Sequence, residues 1–199
     1  HSVWQLQQHV SYCLFGSKKH LMNELFEKKN LPFYKFGDAI YLAKIETKYW
    51  IEYICKRFEN TGKHISPELA EEICRLVDNH SSYVQQLSWL LWIRTINTAT
   101  TEQLSYALED LLDQNNILFQ SETENLSAYQ MNFLKAIVDG IHTKFSSKEV
   151  ISKYNLGTSA NIVRLKNALL QKELIETNGK EIVLADPVFG VWFKKEMLY

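Results

Sequence analysis

Leu174-Ile-Glu-Thr-Asn-Gly-Lys-Glu-Ile-Val-Leu184 is two short β-like runs joined around Asn178-Gly179. Asn-Gly at such a joint is a strong hairpin signal, because the turn that matches strand twist needs left-handed backbone at both central residues. Just upstream, Ile162, Leu165, Leu169 and Leu170 recur at helical spacing, which predicts a helix with these four turned inward. Asn155-Leu-Gly-Thr-Ser159 reads as the turn before it. Ser146 and Glu149 fit a capping box opening a short helix through Val150, Ile151 and Tyr154. A further helix, from about Ser127 to Ile141, buries Phe133, Leu134, Ile137, Val138 and Ile141. Three helices with a helix-turn-helix core and a trailing hairpin make a winged helix. Pro187 to Met197, carrying Phe189, Trp192 and Phe193, adds a final helix.

Upstream of this unit the pattern is helical. Trp50, Ile51, Ile54 and Phe58 form one stripe of a helix that stops near Thr61-Gly62. Ser66-Pro67 is an N-cap followed by proline at the first helical position, and Leu69, Ile73, Leu76 and Val77 supply the buried face. Ser82-Tyr-Val-Gln-Gln-Leu-Ser-Trp-Leu-Leu-Trp-Ile93 is apolar almost all round, which predicts a helix in the centre of a layer. Thr100 and Gln103 fit a capping box before Leu104, Leu108, Leu111 and Leu112. Gln120 to Asn125 reads as a polar, acidic joint between the helical layer and the winged helix.

The first part of the chain has a different texture. Val10 to Phe15 is a short, mostly apolar run of β-like character, closed by Gly16-Ser17 and followed by Leu21, Met22, Leu25 and Phe26 at helical spacing. Ala39-Ile-Tyr-Leu42, after Gly37-Asp38, reads as a second strand. A strand, a turn ending in Gly and a polar residue, a helix from His20 to Phe26 and another strand predict a right-handed parallel unit, the pattern of an open α/β sheet at its ligand edge. One such unit is too small to be a sheet by itself, so the chain reads as beginning within a domain.

Composition bounds the possibilities. The 199 residues are 46% hydrophobic and 13% aromatic with a formal charge of −1, enough apolar content for a packed core and no net bias toward a polyanion. Cys13, Cys55 and Cys74 are odd in number, widely spaced and set in apolar-periodic segments, the usage of buried free thiols in a reducing compartment. No apolar run reaches the roughly 18–20 residues of a membrane span. A cytoplasmic protein without membrane contact is expected.

Charge is uneven locally. From Ile141 to Lys172 the chain carries Lys144, Lys148, Lys153, Arg164, Lys166 and Lys172 against Glu149 alone. From Ala99 to Asp139 it carries Glu102, Glu109, Asp110, Asp113, Glu122, Glu124 and Asp139 against Lys135. One reading is a phosphate-facing surface with Lys148, Arg164 and Lys166 on a shared exposed face, and with Ser159 and Asn161 near base edges. The other is a positive surface docked on the acidic helix at Glu109–Asp113. Winged helices also serve as protein-binding modules, so fold alone does not choose. No His-Glu-x-x-His, Cys-x-x-Cys or Gly-x-Ser-x-Gly occurs, and no metal site is expected. Gly62-Lys63 does not end a P-loop, since Arg57 stands where the first glycine belongs and His64 where a magnesium-binding hydroxyl belongs.

Taken in order, Phe15-Gly-Ser-Lys-Lys-His-Leu-Met22 with Phe26, Pro32-Phe-Tyr34, Ile40-Tyr-Leu42, Arg57-Phe-Glu-Asn-Thr-Gly-Lys63, Tyr83-Val-Gln-Gln-Leu87 with Trp92, and Asp186-Pro-Val-Phe-Gly-Val-Trp192 carry a resemblance that covers essentially the whole chain. The chain resembles the C-terminal part of a prokaryotic P-loop ATPase of the AAA+/STAND group, from the archaeal-type ATPase family whose members end in a winged helix. The resemblance implies a mainly α fold with small α/β and β-hairpin parts: residues 1–46 as the remnant of a P-loop α/β core, 47–122 as a helical lid and 123–199 as the winged-helix domain. It implies that Ser17 matches the sensor position that watches the γ-phosphate; as a residue, Ser17 reads equally as a hydroxyl capping the next helix. Tyr83 and Gln86, with Gln85, fall on the lid helix and become candidates for nucleotide contact, although the lid turn, His80-Ser-Ser-Tyr83, departs from the family's Gly-x-Pro-Tyr-like form. Lys18 and Lys19 are solvated or at the phosphate edge. ATP and Mg²⁺ are implied for the complete protein, with none expected to bind this portion tightly. The phosphate cradle and the metal-holding carboxylate would lie upstream of His1, so these residues alone are expected not to hydrolyse ATP.

An ATP-driven switch is therefore the leading expectation, with DNA or a protein as the winged helix's partner. The rival is a winged-helix DNA-binding transcriptional regulator with a helical sensing domain. A purely structural interaction module is the third reading.

Overall fold

The computed structural model describes residues 7, 9–16, 22, 25–26, 28–31, 33–34, 37–38 and 40–198, with the Leu198 side chain left aside. The chain divides into two compact units, His1–Ala43 and Lys44–Tyr199. In the first, Met22, Leu25 and Phe26 are helical, and Phe26 meets Phe33 with ring centroids 5.9 Å apart. The expected parallel strands do not form among the described residues: 10–16 and 40–43 have neither strand nor helix, and Phe15 and Leu42 are 93% and 85% exposed. Ala39 and Ser17 lie outside the described residues. β-Branched and aromatic character specifies a strand only where a neighbour satisfies its backbone and covers its face.

The second unit is mostly helical with one two-stranded antiparallel sheet, as the sequence predicts. Its elements are α1 (Thr47–Glu59), α2 (Pro67–Leu76), α3 (Ser81–Arg94), α4 (Thr101–Glu124), α5 (Ala128–Val138), α6 (Lys148–Tyr154), α7 (Ser159–Gln171), β1 (Ile175–Asn178), β2 (Glu181–Leu184) and α8 (Pro187–Leu198). Their starts are set by local chemistry. The Ser66 hydroxyl accepts the Leu69 N–H at 3.2 Å, and Pro67 follows at the first helical position. Thr100 with Gln103 and Ser127 with Gln130 close reciprocal capping boxes. The cap of α6 is Ser147, which accepts from Val150, and not Ser146 as expected. Thr158 caps α7, so Ser159 is its first helical residue.

Trp50, Ile54 and Phe58 of α1 and Leu69, Ala70, Ile73 and Cys74 of α2 are buried within the helical layer. Between α2 and α3 the backbone turns through two left-handed residues, Asp78 and Asn79, the residue types that tolerate that region. Lys44 pairs with Asp78 at 2.6 Å, and the Asn79 amide donates to the Thr47 hydroxyl at 3.0 Å. Helix α3 packs against α1, α2 and α4, yet it is not wrapped on all sides: Trp89 and Ile93 are exposed. The acidic stretch expected as a joint is helical through Glu124, with Phe119 and Thr123 buried. One helix of 24 residues thus runs from the helical layer into the winged helix.

In the winged helix, β1 and β2 pair with Asn178 opposite Glu181, so the two turn residues are Gly179 and Lys180, with Gly179 alone left-handed at φ 61°, and Asn178 ends the strand instead of sharing the turn as the sequence reading expects. The Ile182 N–H donates to the His142 carbonyl at 2.9 Å, giving β2 a second neighbour. Phe133 and Phe145 stack 4.4 Å apart. Helix α8 packs on α4, α5 and β2, so it belongs to both halves of this unit. Its Phe189 and Trp192 enclose Phe119 of α4 at 5.4 and 5.6 Å, and the Trp192 indole N–H donates to Asn116 at 2.8 Å. Among the described residues, no helix is long and apolar enough to cross a membrane.

Candidate functional site

Two places concentrate polar chemistry. The first is where α3, the end of α4 and the start of α8 meet. Asp186 precedes α8, and one of its carboxylate oxygens accepts the Val188 and Phe189 N–H groups at 2.8 and 3.0 Å. That satisfies donors which the first turn of a helix leaves open and places negative charge at the positive end of its dipole. The other oxygen accepts the Tyr83 hydroxyl at 2.5 Å. Tyr83 is only 8% exposed, and the His80 ring lies 4.7 Å from its ring. Burial, then the bond to Asp186, then the charges of Asp186 and Glu122 push the phenol well above its ordinary value. Glu122, half-buried in the last turn of α4, has its carboxyl raised by burial and then by the Asp186 charge. Among the described residues, no cation is within ion-pair distance of Asp186 or Glu122.

The lid candidates separate. Tyr83 points into this junction, while Gln86 and Gln85 are exposed and turn back on their own helix, to the Ser82 hydroxyl at 2.8 Å and the Ser81 carbonyl at 3.1 Å. Ser17, Lys18 and Lys19 lie outside the described residues. Sequence reasoning missed Asp186 and Glu122 as partners of Tyr83. The Asp-Pro start of α8 signals the cap, but nothing local signals a bond across 103 positions.

The second place is the outer face of α7. Ala160, Val163, Arg164, Asn167 and Gln171 are exposed there, with Val163 60% exposed. Ser159 and Lys148 are also exposed, at the starts of α7 and α6. The expectation that Arg164 and Lys166 share one face fails. Residues two apart on a helix point about 200° apart, and Lys166 is half-buried. Arg164 is the one charged residue on that exposed α7 stripe, beside Asn167, which sequence reasoning also missed although it follows Val163 at helical spacing. Asn161 is engaged locally, its amide donating to the Leu156 carbonyl at 3.0 Å.

The docking alternative fails too. Glu109 is bonded by Lys195 of α8, and Asp110 by Arg94 of α3 at 2.8 Å, not by the basic residues of α6 and α7. Among the described residues, no group of three His, Cys, Asp or Glu side chains could hold a metal ion. Cys74 is fully buried and its thiol is pushed up to about 11 by burial, whereas Cys13 is exposed, contrary to the expectation that each cysteine is buried.

The model of a family described as "Probable winged helix domain" matches residues 117–195, which run from the last third of α4 into α8. In structure the chain is similar to the Walker-type ATPase of Pyrococcus abyssi, with a TM-score of 0.64 and 18% identity over 90% of this chain and 51% of that one. The likeness is one of fold, and this chain spans about half the length of that structure. No curated protein matches the sequence.

Proposed function

We propose that this chain is the helical lid and winged-helix portion of an ATP-driven switch of the AAA+/STAND group. Nucleotide state would be set in an α/β core and passed through α1–α4 to the winged helix. The observation that carries the reading is the continuity of the two halves. Helix α4 runs from one into the other, and α8 packs on both, in a fold like that of a Walker-type ATPase. On this reading Ser17 senses the γ-phosphate, Gln86 lies toward the nucleotide side of the lid, and ATP with Mg²⁺ is bound by the complete protein. A cytoplasmic location fits the free thiols. The winged helix presents Arg164, Ser159 and Lys148 to DNA or to a protein partner, and Lys166 falls outside that surface.

The test is nucleotide binding by the complete protein. A Gly-x-x-x-x-Gly-Lys-Ser/Thr segment in the complete sequence, together with Mg²⁺-dependent binding of a fluorescent ATP analogue, is expected. A complete protein that binds no nucleotide overturns the reading. The 199 residues alone should release phosphate from millimolar ATP at background rate, because the cradle of backbone N–H groups is not among them. Turnover by this chain that Ser17→Ala abolishes would refute that expectation.

A further inference from the structure

We propose that the outward stripe of α3 is a self-association surface, on which a second copy of this chain lays its own α3 in the antiparallel sense. Ser82, Gln86, Trp89 and Ile93 recur at helical spacing, and all four are exposed. Trp89 is 56% and Ile93 51% exposed, and Ile96, just past the Thr95 cap, is 82% exposed. Aromatic side chains carry about 150–250 Å² each, so Trp89 alone bares roughly 100 Å². With the two isoleucines the patch reaches a few hundred Å², the size at which an exposed apolar surface marks an interaction site. The outer face of α7 is different in kind, with Val163 set among the polar Arg164, Asn167 and Gln171.

What covers the stripe follows from its charge and its pattern. Helix α3 has no acidic residue and one basic residue, Arg94, in its last turn. Asp110 holds the Arg94 guanidinium at 2.8 Å, and the guanidinium lies over the Tyr106 ring. Residues 92 and 94 flank Ile93 about 100° to either side. On the Trp92 side, the Lys63 ammonium donates to the Trp92 carbonyl at 2.6 Å and lies 4.0 Å from the centre of the Trp92 ring. The Gln86 amide turns back to the Ser82 hydroxyl. The stripe thus carries no charge, and the cations at its edges are engaged within the chain. It offers little to a phosphate, an anionic lipid or a charged peptide, whereas a like surface meets it without repulsion. The register also suits a like copy. In a two-fold pair centred between Trp89 and Ile93, each Trp89 ring meets Ile93 of the second copy, and each Gln86 reaches the far end of the other helix, beside Ile96. The area shared falls below the ~1,200 Å² of total buried surface found in stable complexes, so the pair forms only in concentrated protein.

Sedimentation velocity of the 199-residue chain tests this, with reductant present so that the exposed Cys13 does not link copies. Monomer is expected at about 1 µM, and a monomer–dimer equilibrium with a dissociation constant between about 10 µM and about 1 mM. That constant should change by less than about twofold between about 0.05 and about 0.5 M salt, because apolar contact is not screened. In NMR spectra over the same protein range, concentration-dependent shifts should cluster on residues 82–97. Trp89→Glu sets an unpaired carboxylate against Ile93 of the second copy and should weaken association about tenfold or more. At about 1 µM it should melt with the parent chain, as an exposed substitution does. Ile93→Glu should act alike, so one variant still decides if the other folds poorly. Val163→Glu, an equal change on α7, should leave the constant alone. Shifts that map to α7 or to residues 10–15, an equal loss in Val163→Glu, or association that collapses in salt overturns the proposal. So does a chain that stays monomeric at about 1 mM, the upper bound of the expected constant. If oxidative footprinting then finds Trp89 shielded in the complete protein, the stripe belongs to another part of that protein. None of these outcomes depends on nucleotide, so failure of the dimer and failure of the switch reading are separate results.

Discussion

The winged helix has an inner face and an outer face, and they are built on opposite terms. The inner face, through α8, sets Phe189, Trp192 and Phe193 into a core shared with Phe119, and adds hydrogen bonds from Trp192 to Asn116 and from Tyr83 to Asp186. The outer face, along α7, shows Ala160, Val163, Arg164, Asn167 and Gln171 to solvent, with one formal charge among them. The difference teaches that the domain is held in place by one helix and left free on another. Its fixed side can transmit a change in the helical layer, and its free side can meet a partner without disturbing the core.

The largest effect should come from breaking the inner face. Trp192 is 1% exposed and its indole N–H is bonded to Asn116. Trp192→Ala removes the ring, leaves a cavity beside Phe119 and orphans the Asn116 oxygen, so a loss of about 3–5 kcal/mol is expected in urea unfolding. The same truncation at Trp89, which is 56% exposed on α3, serves as the contrast. It should cost about 0.5 kcal/mol, as surface substitutions do. Equal losses at the two tryptophans would abolish the distinction between a packed and an open face.

A smaller effect is expected where the outer face is oriented. Gly157 sits in the turn before α7 at φ 83°, and a Cβ there would come within 3.1 Å of the Asn161 amide and 3.5 Å of the Tyr129 ring. Left-handed backbone costs a residue with a side chain about 1–2 kcal/mol. Gly157→Ala should lower stability by that amount and perturb amide signals of α6 and α7 in NMR spectra, leaving those of α1 and α2 unchanged. Spectral change spread evenly over the unit would show that α7 is not independently positioned.

Much of this architecture is written locally and so was legible in the sequence. Ser66-Pro67, Thr100 with Gln103, and Asn178-Gly179 each carry their own instruction within four residues. The wing forms because its turn delivers β2 to β1 as a partner. Val10–Phe15 has as much β character, but its partner must come from elsewhere, and the described residues there form no strand. The acidic stretch 120–125 read as a joint because charge and polarity were counted without the burial of Phe119 and Thr123, which only the fold of α8 reveals. The candidate site was half legible. Tyr83 stood out on its helix, but its role depends on Asp186 and Glu122, which reach it from distant parts of the chain. Arg164 was legible as a cation, and its separation from Lys166 follows from helical geometry once α7 is known to be continuous.

The smallest expected effect on the fold, and the most informative about function, lies at Arg164. Its side chain is exposed on α7 beside Asn167, and Arg164→Ala should leave the melting temperature unchanged to within the effect of a surface substitution. If the outer face meets duplex DNA, each phosphate neutralised contributes about −0.9 to the slope of log K against log salt. Arg164→Ala should then flatten the slope by about 0.9 in a fluorescence anisotropy titration begun at low salt. Lys166→Ala should flatten it by much less, because Lys166 is half-buried on the far side of the helix. Asn167→Ala should leave the slope alone and instead reduce discrimination between sequences, since an amide reads base edges and releases no counterion. Equal slopes for the Arg164 and Lys166 variants would mean that the exposed stripe of α7 is not the contact surface. An intact chain that binds no DNA at low salt would assign the stripe to a protein partner, with Val163 at its centre and Arg164 at its rim.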